Sequence, residues 1–112
     1  MSGYFRHPDI FDDRIVFTSE DDLWQVPASG GRAERLTKTR GTAVYPCFSP
    51  DGEQIAFTGT EEGTTEVFVV DADGGQIEQL TYTGTAAAVV GWTPDGESIV
   101  FRSNFKEPFR KT

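Results

Sequence analysis

Short apolar runs separated by turn residues recur along the chain at a nearly constant interval. Ile15-Val16-Phe17, Ile55-Ala56-Phe57 and Ile99-Val100-Phe101 are three versions of one segment, set 40 and then 44 residues apart. A run this short, rich in β-branched and aromatic residues, predicts a strand. The middle copy is the clearest. Val44-Tyr45-Pro46-Cys47-Phe48 leads into Ser49-Pro50-Asp51-Gly52, in which Pro50 presets φ, Asp51 bonds the backbone ahead of it and Gly52 accepts φ > 0. The chain reverses there into Ile55-Ala56-Phe57.

The same order of elements follows the first two copies. Leu23-Trp24-Gln25-Val26 matches Val67-Phe68-Val69-Val70, Gly30-Gly31 matches Gly74-Gly75, and Leu36-Thr37 matches Leu80-Thr81, each pair 44 residues apart. The four extra residues of the second unit fall between Phe57 and Val67. They are expected in a surface hairpin loop, because an insertion inside a strand threatens to flip its faces. Each unit thus reads as a four-stranded antiparallel meander. Val67-Phe68-Val69-Val70 is apolar at consecutive positions, which places cover on both faces of its sheet. Sheets of this kind repeating at this length predict an all-β fold of β-propeller blades, about two and a half per chain. The units run over about 4–43 and 44–88, with a truncated unit over 89–112. The first has only Asp12-Asp13 in place of the Pro-Asp-Gly turn. The third has Trp92 where the second has Phe48, and residues 102–112 suffice for part of a third strand.

Composition agrees with this pattern and removes several functions. Nine Phe and two Trp within a 37% hydrophobic chain of 112 residues supply a core, and twelve Gly with six Pro supply the turns. A net charge of −8 argues against nucleic acid as a partner, because phosphate neutralisation needs clustered Lys and Arg. Cys47 is the single cysteine, which permits no internal disulfide and fits a reducing compartment. No apolar run reaches the length of a signal-peptide core or a membrane span. The expectation is a cytoplasmic chain with no membrane partner.

Candidate chemistry is sparse. His7 is the only histidine and has no nucleophile placed beside it by the sequence, so an exposed or capped role is expected. Ser19, Ser29, Ser49, Ser98 and Ser103 stand in strand or turn contexts outside any nucleophile-elbow pattern. Cys47 reads as a small buried hydrophobe. Asp71-Ala72-Asp73-Gly74-Gly75 begins like a calcium loop, but the later ligands are missing and a turn is the better reading. Glu20-Asp21-Asp22 lies at a hairpin connection, where it is solvated, bonds turn amides or meets a cationic peptide terminus. Trp24, Phe68 and Trp92 are expected to pack between blades. Gly30-Gly31 and Gly74-Gly75 join strands to strands, so no phosphate loop is present. No catalytic, cofactor-binding or metal-ligating residue is assigned, and no cofactor.

The Phe48-Ser49-Pro50-Asp51-Gly52 to Ile55-Ala56-Phe57 unit, followed by Val67 to Gly75 and Gln79-Leu80-Thr81, resembles the repeat shared by TolB-like periplasmic proteins, prolyl-oligopeptidase relatives and tricorn-type proteases. Tyr4-Phe5-Arg6-His7-Pro8, Asp13 to Phe17, Ser19 to Pro27 and Val90 to Gly96 are similar to the amino-terminal propeller of tricorn proteases, over essentially the whole chain. The resemblance implies a non-catalytic scaffold, or a gate that passes peptides to or from a peptidase domain. No residue here matches the family's catalytic Ser or His. The alternative is a stand-alone TolB-like module for protein–protein interaction.

A blade buries its apolar surface only against neighbours, so two and a half blades leave a face open at each end. Self-association is expected to complete the propeller, with two chains approximating the six blades that the resemblance implies.

Overall fold

In a computed structural model, residues 6–39, 41–61, 63–103 and 108–111 are described. They form eleven strands and no helix. The first sheet contains β1 (Arg6–Phe11), β2 (Arg14–Ser19), β3 (Asp22–Pro27) and β4 (Glu34–Arg35). The second contains β5 (Thr42–Phe48), β6 (Gln54–Glu61), β7 (Thr64–Asp71) and β8 (Glu78–Gln79). The third contains β9 (Ala87–Trp92), β10 (Ile99–Ser103) and β11 (Pro108–Lys111). Every sheet is an antiparallel meander in chain order. Each is one blade, as the repeat implies.

The four-residue insertion is placed differently from the sequence expectation. β2 and β3 have six residues each, whereas β6 and β7 have eight, and two residues join the strands in both hairpins. The extra residues lengthen two paired strands by two apiece. An even increment preserves the alternation of faces, so the sheet absorbs it without moving any side chain to the wrong side. In the first blade the joining residues Glu20 and Asp21 both have positive φ, 52° and 71°, the twist that a two-residue hairpin requires.

The blades stack face to face. Val16 and Leu23 of the first pack with Ile55, Phe57, Phe68 and Val70 of the second. Ala56 and Val67, on the opposite face of the second, pack with Ile99 and Phe101 of the third. Successive residues Ile55, Ala56 and Phe57 therefore serve two interfaces, and all three are fully buried. This is why the strands read as continuous apolar runs. The Pro-Asp-Gly turn also contributes to the first interface. Gly52 has φ 74° and lies against the Phe11 ring so closely that a Cβ would overlap it, while its carbonyl accepts a 2.8 Å hydrogen bond from Arg14.

The outer faces are less covered. Ile15 and Val26, a cross-strand pair, and Trp24 remain half-buried, whereas their counterparts Ile55, Val70 and Phe68 are buried. Val100, on the far side of the third blade, is half-buried too. Contacts between β1 and β5, and between β5 and β9, bring the first strands of successive blades side by side. They form the inner edge of the stack, while β4 and β8 lie at the opposite edges of their sheets.

Truncating Phe57 to Ala removes a side chain shared by two blades, and a loss of about 3–5 kcal/mol is expected. Ile15→Ala, on the open face, is expected to cost about 1 kcal/mol or less. Equal midpoint shifts for the two variants in urea unfolding would contradict this assignment of faces.

Candidate functional site

Two repeated arrangements stand out from the packing, one at the outer edge of the blades and one at the inner edge. At the outer edge, a buried carboxylate clasps the segment that follows the short fourth strand. Asp22, 3% exposed, accepts hydrogen bonds from the Thr37 hydroxyl (2.8 Å), the Thr39 amide (3.0 Å) and the Thr39 hydroxyl (3.3 Å), and pairs with Arg35. The Thr37 oxygen in turn accepts the Leu23 amide at 3.0 Å. In the second blade Glu66, 5% exposed, takes the place of Asp22. It accepts from the Thr81 hydroxyl (2.6 Å), the Thr83 amide (3.0 Å) and the Gly84 amide (2.9 Å), and Thr81 accepts the Val67 amide (2.9 Å).

Glu66, Val67, Thr81 and Thr83 lie 44 residues after Asp22, Leu23, Thr37 and Thr39. The longer glutamate reaches one amide further, and Gln79 stands where the first blade has Arg35. Burial pushes both carboxyls toward the neutral form, but the hydrogen bonds outweigh it. The Thr39 amide, Thr37 hydroxyl and Arg35 guanidinium hold Asp22 below its ordinary range, and Thr81, Thr83 and Gly84 do the same for Glu66.

At the inner edge, each first strand carries a bulge. The β1–β2 register skips between Arg6 and Asp9, the β5–β6 register between Val44 and Cys47, and the β9–β10 register between Val89 and Gly91. The first two bulges hold His7-Pro8 and Tyr45-Pro46. His7 and Tyr45 have φ of 54° and 55°, which costs a bulky residue ~1–3 kcal/mol and is rarer still before proline. Their rings lie 4.2 Å apart, tilted by 56°. Tyr45 is 51% exposed and Val90, at the third bulge, 57% exposed.

Polar contacts tie each inner strand to the neighbouring blade. The Asp9 carboxylate accepts the Phe48 amide at 2.8 Å, and the Ala43 carbonyl accepts the Thr18 hydroxyl at 2.9 Å. At the second junction Trp92 Nε1 donates to the Cys47 carbonyl and the Val89 amide donates to Thr58, both at 3.0 Å.

The residues singled out in the sequence fall as follows. Glu20 and Asp21 are exposed turn residues, but Asp22 is not part of a solvated run; it is the buried clasp. Its pairing with Thr37 and Thr39 was legible only by asking which acidic and hydroxyl positions recur together at the 44-residue interval. His7, expected to be exposed or capped, is half-buried with its ring against Tyr45. Cys47 is half-buried rather than buried, and burial followed by the nearby Asp9 charge raises its thiol pKa, which disfavours the reactive thiolate. Asp71 to Gly75 is a turn closed by the Gly74 amide on the Asp71 carbonyl at 2.8 Å. Phe68 packs between blades, whereas Trp24 lies half-buried on the open face with Nε1 on the Ser19 carbonyl. Among the described residues, no group of three or more His, Cys, Asp and Glu is placed to hold a metal ion.

Because both clasp carboxyls are depressed on folding, the stability they add is fully present above the ordinary carboxylate range near pH ~4 and is lost as pH falls through the lower folded values. Glu66→Gln is expected to cost about 2–3 kcal/mol at pH 7 and to flatten the acid limb of a Tm-against-pH curve. An unchanged acid limb would remove Glu66 from the list of groups that set it.

The model of the tricorn protease N-terminal beta propeller domain matches residues 2–112. Tricorn protease homolog 1 of Streptomyces coelicolor is 40% identical over 67 residues, 60% of this chain and 6% of that protein. The crystal structure of the tricorn protease superposes with a TM-score of 0.80 at 28% identity, covering 93% of this chain and 11% of that one. TolB from Acinetobacter baumannii superposes with a TM-score of 0.73 at 26% identity, over 88% of this chain and 26% of that one. The chain thus spans about a quarter or less of the length of each of these three relatives.

Proposed function

Since the chain belongs to the tricorn protease N-terminal β-propeller family, we propose that it acts as a non-catalytic scaffold and peptide gate for a peptidase. The observation that carries this reading is the side-by-side arrangement of β1, β5 and β9 at one edge of three stacked blades. Blades arranged radially place their inner strands around a central channel, and a channel of this kind suits an extended polypeptide better than a folded one. The chemistry agrees. The single histidine is engaged with a tyrosine, and the single thiol is raised in pKa. A gate needs neither as a catalyst.

Ile15, Trp24 and Val26 on one side and Val100 on the other are half-buried, faces that call for further blades to cover them. We infer that copies of this chain supply them by self-association, burying the open faces as the second blade buries its own. The TolB likeness supports a second reading, a propeller that binds protein partners without passing peptide. Peptide binding separates the two.

The gate reading expects flexible peptides to bind without being cleaved, and folded proteins to be excluded. Peptide turnover that disappears on a single Ser→Ala change would overturn it. Light scattering coupled to size exclusion is expected to give a discrete mass above the monomer, and a folded monomer would rule out completion of the ring by copies.

A further inference from the structure

Two residues at the same place in the repeat, His7 and Tyr45, hold positive φ immediately before proline. Both features carry a cost. A bulge with glycine would relieve the strain, and a non-proline successor would restore a backbone donor. What the two bulges accomplish together is to turn a pair of rings out of adjacent inner strands until they meet, 4.2 Å apart, with Tyr45 half open to solvent. Bulges beside functional sites commonly re-aim a side chain in this way.

The proline at each bulge has a second effect. The inner strands β1 and β5 each pair with a strand on one side only, β2 and β6, and on the other side of β5 the Ala43 and Phe48 amides and the Ala43 and Cys47 carbonyls are already taken by Asp21, Asp9, Thr18 and Trp92. The bulge is the level of β5 left between these contacts, where an extended peptide could pair backbone to backbone and be held. Pro8 and Pro46 lack the N–H that pairing requires, and the bulge breaks its register. A peptide reaching this level meets rings rather than a ladder.

Resting on the gate reading above, we propose that the His7–Tyr45 pair is the specificity contact of the inner edge, on which aromatic side chains of a passing extended peptide stack. Proline and bulge together keep that peptide from adding to the edge as a strand. The contact is brief by design, because one stacked ring is a weak attachment compared with a run of backbone hydrogen bonds.

The test uses the protein in its natural length and two flexible Gly/Ser peptides with a shared dye, one with a single central Phe and the other with Ala there. Anisotropy is expected to show the Phe peptide binding about fivefold more tightly. Tyr45→Asn removes the ring but suits positive φ, so Tm is expected to stay within about 3 °C while the fivefold preference disappears. Tyr45→Phe is expected to keep both. A preference that survives Tyr45→Asn would overturn the contact while leaving the gate intact. If Tm collapses in Tyr45→Asn, His7→Asn, which removes the other ring at a position that also has positive φ, decides instead: loss of the preference supports the contact and its survival overturns it. Absence of binding by either peptide would overturn the gate reading as well.

Discussion

A fourth strand of two residues cannot hold its place by backbone pairing alone, and the buried carboxylate that clasps the chain beyond it is the interaction on which each whole blade depends. β4 and β8 each make only two cross-strand pairs. Asp22 and Glu66 supply what the ladder lacks, each collecting hydroxyl and amide donors from the segment that follows. The threonine between carboxylate and strand carries the constraint further, because its oxygen also accepts the amide of Leu23 or Val67, the first core residue of the third strand. The clasp therefore fixes the outer edge and the start of the core strand at once. A charged group buried this deeply is tolerated because its lone pairs are saturated by donors.

The two clasps reach the same end by different chemistry. Asp22 is the shorter acid and draws on the Arg35 guanidinium, whereas Glu66 has no ion pair among the described residues and extends to the Gly84 amide instead. A repeat conserves geometry more strictly than residue type. The same holds at the blade junctions, where the Asp9 carboxylate takes the Phe48 amide at one and the Trp92 indole reaches the Cys47 carbonyl at the next.

The fold was legible because its strongest signal is periodic. Ile-x-Phe segments at near-constant spacing, each followed by a turn and a Leu/Val strand, leave few architectures other than stacked meanders, and the doubly buried second blade explains why Val67 to Val70 does not alternate. The insertion was misplaced because a length difference between copies does not say where the residues go; two paired strands growing by two each leave every face unchanged. The clasp was hidden for another reason. An acidic residue beside two exposed acids reads as solvated, and nothing local to Asp22 shows that Thr37 and Thr39 return to cover it. Nor do local rules foresee His7 and Tyr45. Proline after each predicts extended backbone, and the structure gives positive φ instead.

That contradiction separates the two edges of the blade physically. At the outer edge every unusual feature is compensated: the buried charge has its donors, and the short strand has its clasp. At the inner edge the strained residues have, among the described residues, each other's rings for contact, and one of the two rings stays half in water. A site that folding alone would relax to glycine retains its strain only where the surrounding sheet over-determines it. β1 and β5 do so, each anchored to its blade on both sides of the bulge, by Phe11 with Arg14 and by Phe48 with Ile55 below it, and by Arg6 with Thr18 and Val44 with Thr58 above. The rigid blades thus act as a frame that holds a locally unfavourable pair of rings at the axis side of the stack, and the stability lost there is drawn from the two-sided packing of the second blade.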